Sequence, residues 1–364
     1  MHVALISPNA YSASVQYPSR IANELVNIGV DVTVFIPDTD ESRRLLDDSS
    51  TVYYPSELSK FNKFTYIYKN ILSISPDIVH YPFFGNLSTL LLSVFTLPTR
   101  IPHVATLHDP TPHSGMTREI AGIEIRGLSR RMIAARFDGI LVHGPQSAKE
   151  AIEYGYPRSL IHTVPHGLYD HFPRNPSVQT TDFSLLFFGH IRPNKGYDRI
   201  PEILDVAEEK IADINATVAG PLPGPSVDSD QVTSLLQKLD DDERISVRAE
   251  YIGDEEVSRL FERSKLVVLP YYDGTMSGVL MTAYHFEKPV VATNVGDIGP
   301  TVSNDQSGRV VEAADTRGIG ERISELLLSP TVYSNMVENI RVQKDKYKWQ
   351  NICVEIRRVY DHIL

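Results

Sequence analysis

Cysteine occurs once in the 364 residues, at Cys353. An internal disulfide framework is therefore excluded, and a reducing compartment is the expected setting. Excess positive charge is also missing. The 35 Lys and Arg stand against 46 Asp and Glu, a formal net charge of −11, which argues against a general nucleic-acid binder. Long apolar runs are missing too: the longest, 87–97, is too short and too polar to span a bilayer. No basic stretch followed by an apolar one opens the chain, so no signal peptide is expected and the protein is read as cytoplasmic. There is no short-period repeat. What is present is an ordinary globular composition, 42% hydrophobic and 22% charged, long enough for two domains with two cores.

The chain is organised around Phe187-Phe188-Gly189-His190-Ile191-Arg192-Pro193-Asn194-Lys195-Gly196. The buried-looking run 184–188 stops at Gly189, a polar turn follows, and a helical pattern starts near Tyr197. A helix start offers unpaired N–H groups and a positive dipole end. Arg192 and Lys195 add two fixed cations, which suits a doubly charged anion such as a diphosphate. Surface Arg and Lys on a βα loop are equally compatible with this stretch alone.

Ahead of it, strand 3–7, a helix with Ile21, Leu25 and Ile28 on one face, a stop at Gly29 and strand 30–36 form a βαβ unit, which implies a parallel sheet. Further strands fit 77–81, 103–107, 139–143 and 162–164. Ser147-Ala148-Lys149-Glu150 reads as a capping box for a helix ending at Gly155. Ligands in such sheets bind beyond the carboxyl ends of the strands. Three loops there stand out: 8–17, the stretch 106–113, and Pro165-His166-Gly167. His108 followed by Asp109 has the chemistry to orient a substrate hydroxyl, or is a structural histidine. His103, His108 and His113 are five apart, which is not a ligand spacing, so no metal is expected. Segment 116–140 carries Arg118, Arg126, Arg130, Arg131 and Arg136, with Ile120, Ile123, Leu128, Met132 and Ile133 at roughly helical spacing. It is a candidate for peripheral membrane contact at the inner face, or a solvated helix packed on its own domain.

Behind it, 173–182 reads as a linker. The pattern then restarts with strand 184–188, helix 197–211, strand 214–219, helix 231–239, strand 245–251 and a helix N-capped by Asp254. Strands 266–269, 289–293 and 309–311 follow. After Leu269 comes a second small-residue loop, Pro270-Tyr271-Tyr272-Asp273-Gly274-Thr275-Met276-Ser277-Gly278, opening a helix over 279–286. Small residues let backbone amides approach an anion closely. Trp349, Ile352, Cys353, Ile356, Val359, Tyr360 and Ile363 make one helical stripe at the end.

These residues resemble the retaining glycosyltransferases of the GT-B fold (glycosyl transferases group 1 and family 4), over nearly the whole chain. Phe188-Gly189-x-Ile191-Arg192-Pro193-x-Lys195-Gly196 is similar to the family's phosphate-binding segment, Pro165-His166-Gly167 to its segment before the interdomain linker, and Ala249 to Phe261 to its base-contacting region. The resemblance implies an α/β protein of two doubly wound Rossmann-like domains facing across a cleft: an acceptor-side domain, 1–172; the linker; a donor-binding domain, 183–342; and a terminal helix, 343–364, crossing back to the first. The family's two glutamates fall at Gly274 and Thr282, so the chain looks like the subgroup lacking them, with Asp273 and Thr282 as candidate substitutes. The family's glycine–arginine pair is Gly189-His190 here.

The implied activity is transfer of a hexose-type sugar from a nucleotide-diphosphate sugar to a glycan, glycolipid or lipid-linked acceptor, with retention, no metal and no cofactor. The implied catalytic residues are His108, Arg192 and Lys195. Donor contacts fall to Gly189, Gly220, Tyr251, Ile252, Asp273, Thr275, Met276, Ser277, Gly278 and Thr282. The acceptor side falls to Asn9, Tyr11, Tyr17 and Asp109. Three rivals remain. A metal-dependent transferase would use Asp38-Thr39-Asp40 or Asp228-Ser229-Asp230. A nucleotide-sugar epimerase of the same fold would need no acceptor. A catalytically silent donor-binding or scaffold subunit is motivated by the missing glutamates.

Overall fold

The structure is a computed structural model that describes residues 1–8, 12–46, 51–53, 60–84, 100–110, 119–120, 123–124, 136–175, 177–222 and 229–364. Asn9, Tyr11, Asp228 and most of 116–140 lie outside these. The chain divides into two compact units, Met1–Pro165 with Lys348–Leu364, and His166–Tyr347.

In the first unit, β1 (His2–Ile6), β2 (Asp31–Phe35), β3 (Thr51–Tyr53), β4 (Ile78–Tyr81) and β5 (His103–Thr106) belong to one sheet. A separate pair, β6 (Glu119–Ile120) and β7 (Ile123–Glu124), is antiparallel. The sheet continues with β8 (Gly139–Val142) and β9 (Ile161–Thr163), in the order β3-β2-β1-β4-β5-β8-β9. Its neighbours are all parallel. Both faces are covered, which is why Val3, Ala4, Leu5 and Ile6 are all fully buried rather than alternating.

One of these faces is closed by the end of the chain. The helix Trp349–Ile363 sends Trp349, Ile352, Cys353, Ile356, Val359 and Tyr360 into a core with Ile21, Ala22 and Leu25 of the first helix, Ser12–Asn27. Burial of six such side chains is worth on the order of 10 kcal/mol before lost conformational entropy is subtracted. The terminal helix is thus part of the first unit's core, not an appendage.

Sequence reading and structure part at several places here. The helix after β8 is Pro145–Tyr154, with Pro145 at its first position after Gly144, so Ser147 lies buried inside the first turn and is no cap. Proline favours the first helical position because its missing N–H has no partner to lose. Gly155 closes it in the left-handed region as expected, at φ +105°. Ile120 and Ile123, read at helical spacing, are register partners in the antiparallel β6–β7 pair. Asp38-Thr39-Asp40 is a helix start: Thr39 accepts from Ser42 N, and Asp38 accepts from Arg43 Nε at 2.6 Å. No helix among the described residues is long and apolar enough to cross a membrane.

The second unit holds β10 (Ser184–Phe188), β11 (Asn215–Ala219), β12 (Ile245–Arg248), β13 (Leu266–Leu269), β14 (Val290–Thr293) and β15 (Gly308–Val311). The order is β12-β11-β10-β13-β14-β15, all parallel. The chain runs outward from β10 to β12, then returns to β13 on the other side of β10. Between β10 and β13 the winding reverses, which is where open sheets of this type bind ligands. Helix starts shift slightly: Gly253, not Asp254, caps Asp254–Arg263, and two tight turns, Pro193–Lys195 and Tyr197–Arg199, precede the helix Ile200–Glu208.

Residues 166–172 go with the second unit rather than the first. Leu168 lies in its core and donates N–H to Tyr347 O at 3.0 Å. The stretch read as a linker is also fastened there. Thr180 Oγ1 donates to Glu262 O at 3.0 Å, Thr181 N to Arg263 O at 2.7 Å, and Lys288 Nζ to Glu262 O at 2.9 Å. Polar composition suggested a free tether; the same polar groups instead satisfy the end of helix Asp254–Arg263.

Candidate active site

The two loops flagged in the sequence leave β10 and β13, the strands on either side of the reversal. Gly189 turns the first loop away from the strand at φ +106°. Gly220, at the end of β11, has φ +148° and passes so close to Gly189 that a Cβ would meet its carbonyl oxygen. Only glycine fits both demands.

Side chains then join the two loops into one body. Tyr272 N donates to Asn194 O at 2.9 Å, and Asn194 Nδ2 donates to Asp273 Oδ1 at 3.0 Å. Lys195 Nζ lies 3.6 Å from the centre of the Tyr271 ring. Arg199, buried, donates to the carbonyls of Pro270 and Ala313. Gly196 sits at φ +66°, and a Cβ there would run into Pro270 O. Sequence reasoning found the loops but missed Asn194, Arg199 and Tyr271 as their fasteners. A charged residue beside the apolar helix face of Ile200, Ile203, Leu204 and Ala207 was the available signal for Arg199.

The second loop ends in the helix Gly278–His285. Ser277 occupies its cap position without a side-chain cap bond, and its Oγ lies 3.3 Å from Tyr271 OH. Thr275 is buried, and its carbonyl accepts from Asp297 N at 2.7 Å. Gly278 faces Tyr169, which leaves no space for a Cβ. Arg192, Lys195, Asp273 and Met276 are half-buried. The structure thus gathers Gly189, Arg192, Lys195, Gly220, Asp273, Thr275, Met276, Ser277 and Gly278 around the carboxyl ends of β10, β11 and β13.

Two donor candidates are placed differently from the expectation. Ile252 is 6% exposed and belongs to the core with Val257 and Phe261, so its side chain cannot meet a ligand and only its backbone is left for that role. Thr282 is buried, with its hydroxyl donating to Gly278 O at 2.9 Å, one turn back along the helix. Tyr251, by contrast, is 69% exposed after β12.

In the first unit, His108 is fully engaged. Its Nε2 donates to Pro82 O at 3.0 Å, its Nδ1 lies 2.9 Å from His143 Nε2, and its ring stacks on Phe83 at 4.1 Å. Burial pulls its pKa down to about 4, against the opposing pull of the Pro82 carbonyl and Asp109. It is a neutral imidazole linking the loops after β4, β5 and β8. Tyr17, expected on the acceptor side, is 2% exposed and packs edge-on against Trp349 and His108. It lies on the inward face of the first helix with Val15 and Ile21, which the loop reading did not anticipate. Asp109 is exposed.

His80 lies deeper still, fully buried on β4, with Nδ1 2.6 Å from Tyr360 OH and Nε2 2.9 Å from Thr106 Oγ1. Burial, then the neighbouring His108, lowers its pKa to about 3. Unfolded, it would bind a proton from about pH 6.5 downward; folded, it resists until about pH 3. The unfolded state therefore binds more protons in this window, and stability falls as acid is added. From His80 alone the loss between pH 7 and pH 5 should be about 2 kcal/mol. Urea midpoints followed by Trp349, the sole tryptophan and buried in this core, should show it. His80→Gln should shrink the acid loss.

With this geometry in place, comparison with known proteins adds the family. Residues 170–343 match the model for glycosyl transferases group 1, and residues 15–170 match that for glycosyltransferase family 4. Between them the two models span most of the chain, and the protein is a glycosyltransferase. This glycosyltransferase is 19% identical over 386 residues to the D-inositol 3-phosphate glycosyltransferase of Corynebacterium aurimucosum, covering 94% of this chain and 89% of that one. It is 28% identical over 207 residues to the GDP-mannose:glycolipid 4-beta-D-mannosyltransferase of Xanthomonas campestris, covering 56% and 53%. The Anabaena HepE protein, solved in complex with UDP and glucose, superposes with a TM-score of 0.78 at 14% identity over the whole of both chains. That likeness establishes the GT-B fold for this enzyme, an α/β architecture of two Rossmann-like halves.

Proposed function

We propose that this enzyme moves a hexose-type sugar from a nucleotide-diphosphate sugar to a glycan, glycolipid or lipid-linked acceptor, with retention of configuration and without a metal. The observation that carries the reading is the joined pair of loops at the β10/β13 reversal, one carrying Arg192 and Lys195 and the other opening helix Gly278–His285. Breaking the bond between an anomeric carbon and phosphate builds negative charge on the departing diphosphate. Two cations and main-chain N–H groups fixed beforehand stabilise that charge where it develops. No carboxylate pair is then needed, unlike in a glycoside hydrolase. Exposed Tyr251 beyond β12 and the backbone near Gly220 and Ile252 are the base-side contacts, and Asp273, held by Asn194, is the sugar-side acid. The UDP of the HepE complex and the sugar nucleotide in the name of the Xanthomonas relative are in keeping with this donor class. On the acceptor side Asp109 is the exposed candidate, and segment 116–140 is the candidate for contact with a membrane that holds a lipid-linked acceptor.

A thermal-shift screen of nucleotide sugars tests the donor, since a ligand bound only by the folded state raises the apparent melting point. The reading fails if no member of the panel shifts the protein. The absence of the two family glutamates at Gly274 and Thr282 keeps one second reading, a silent donor-binding subunit. That reading predicts binding with no sugar transfer to any acceptor in the panel.

A further inference from the structure

β15 is the outermost strand of the second unit's sheet, beside β14. Val290 N donates to Ser307 O at 3.2 Å and Asn294 N to Val311 O at 2.7 Å, so Ser307 and Val311 turn their backbone groups toward β14. By alternation Gly308 and Val310 turn theirs outward. On that side lies a groove of about 480 Å³, bounded by residues of the helices Ile298–Asn304 and Pro330–Gln343 and of β15. Sites for small ligands span about 300–1,000 Å³. Val310, Val332 and Met336 give the groove an apolar part; Ser303, Gln306, Asn335 and Asn339 give it a neutral polar part. Among the described residues of its lining only Arg309 is charged, and Glu325 accepts from its Nε at 3.0 Å and from its Nη2 at 2.7 Å. Gln306 stands at φ +50°, a conformation that glycine takes with less strain. Its carbonyl is held by Asn339 Nδ2 at 3.0 Å. A side chain is thus kept where the backbone alone would favour none.

We propose that this groove is a binding site for a neutral oligosaccharide. Sugar hydroxyls both donate and accept, and side-chain amides and a serine hydroxyl offer both functions in return. The C–H face of a sugar ring suits the patch of Val310, Val332 and Met336. A phosphate or carboxylate ligand would need an uncommitted cation, and the guanidinium of Arg309 is already matched by Glu325. An added peptide strand draws on a run of main-chain bonds. β15 has four residues, and Gly308 O accepts from Arg309 Nη1 at 3.4 Å, which leaves Val310 as the outward residue of the strand that offers both its groups. That is enough to meet a hydroxyl or two and too little to seat a strand. The donor loops after β10 and β13 contribute no residue to the described lining, so the site does not depend on the donor reading.

Methyl NMR spectra of the full chain, labelled at its six methionines, test this. Met336→Leu and Met276→Leu assign the signals of the groove and of the second donor loop. The probes are maltopentaose, cellopentaose and mannopentaose. At least one should move the Met336 signal, with a dissociation constant of about 1 mM, and leave Met276 in place. Gln306→Gly should melt close to the wild type, since the left-handed position suits glycine, yet bind about fivefold more weakly. Asn335→Ala, at an exposed position, should weaken binding by about the same factor. UDP-glucose should move Met276 and not Met336, so the donor reading and this one fail separately. The proposal is overturned if none of the three sugars moves Met336, or if the shift is undiminished in both variants. It is equally overturned if Met336 moves with protein concentration alone, which would put a second copy in the groove, or with a Val-Thr pentapeptide and no sugar.

Discussion

Lys195→Ala should lower glycosyl transfer by about 100-fold or more while leaving the protein folded. Two quantities decide this. In the free enzyme the ammonium lies on the Tyr271 ring at 3.6 Å, a contact worth about 0.5–1 kcal/mol at a partly exposed position. Its loss should lower the melting point only slightly. Against a diphosphate the same charge is worth more: about 4 kcal/mol for unit charges 4 Å apart at an effective dielectric of 20. That interaction strengthens as the leaving group gains charge, so the loss falls on turnover more than on ground-state binding. Steady-state kinetics and a melting curve on one preparation separate the two. A variant that loses several degrees together with its activity would mean that Lys195 mainly holds the fold. Undiminished turnover would remove it from the donor site.

Gly196→Ala should destabilise the second unit strongly. The position has φ +66°, which costs an alanine about 1 kcal/mol. The larger cost is steric, because the Cβ meets the Pro270 carbonyl and the Arg199 guanidinium. To make room, Arg199 must leave the carbonyls of Pro270 and Ala313, and a buried charge loses its acceptors. A combined loss of about 3 kcal/mol or more is expected. Donor binding should fall with it, since the same joint holds the two loops in register. Gly29→Ala is the control: φ +81° with nothing within 4 Å of an added Cβ. It should lose about 1 kcal/mol, the backbone part alone. Equal losses for the two variants would show that the loop joint contributes nothing.

The strands were legible because both faces of each sheet are covered, so runs such as Val3 to Ile6 and Leu266 to Leu269 read as unbroken apolar stretches. The donor loops were legible because small residues and fixed cations cluster at strand ends. What was hidden follows one rule: sequence does not say which polar groups are spent inside the protein. His108 and Tyr17 looked available and are packed against one another. Thr282 looked like a hydroxyl for a ribose and donates to its own helix. The stretch 173–182 looked free and is bonded to the end of a helix. Asn194 and Asp273 are neighbours only because β10 and β13 are, and no local pattern announces a pair so far apart in the chain. Ile120 and Ile123 show the reverse error, a spacing of three that fits one helix turn but serves a tight antiparallel pair.

The place of the last helix has a consequence for how the protein is made. On the ribosome, the first unit emerges early but cannot close, because the side chains that seal it, from Trp349 to Tyr360, are translated after the entire second unit. Until then Ile21, Ala22 and Leu25 border an open apolar trough. The second unit has no such delay: both of its ends meet at the Leu168–Tyr347 bond, and it is contiguous in sequence. The later-made half is therefore expected to fold first, with the nascent amino-terminal half awaiting its final helix and open to chaperones in the meantime.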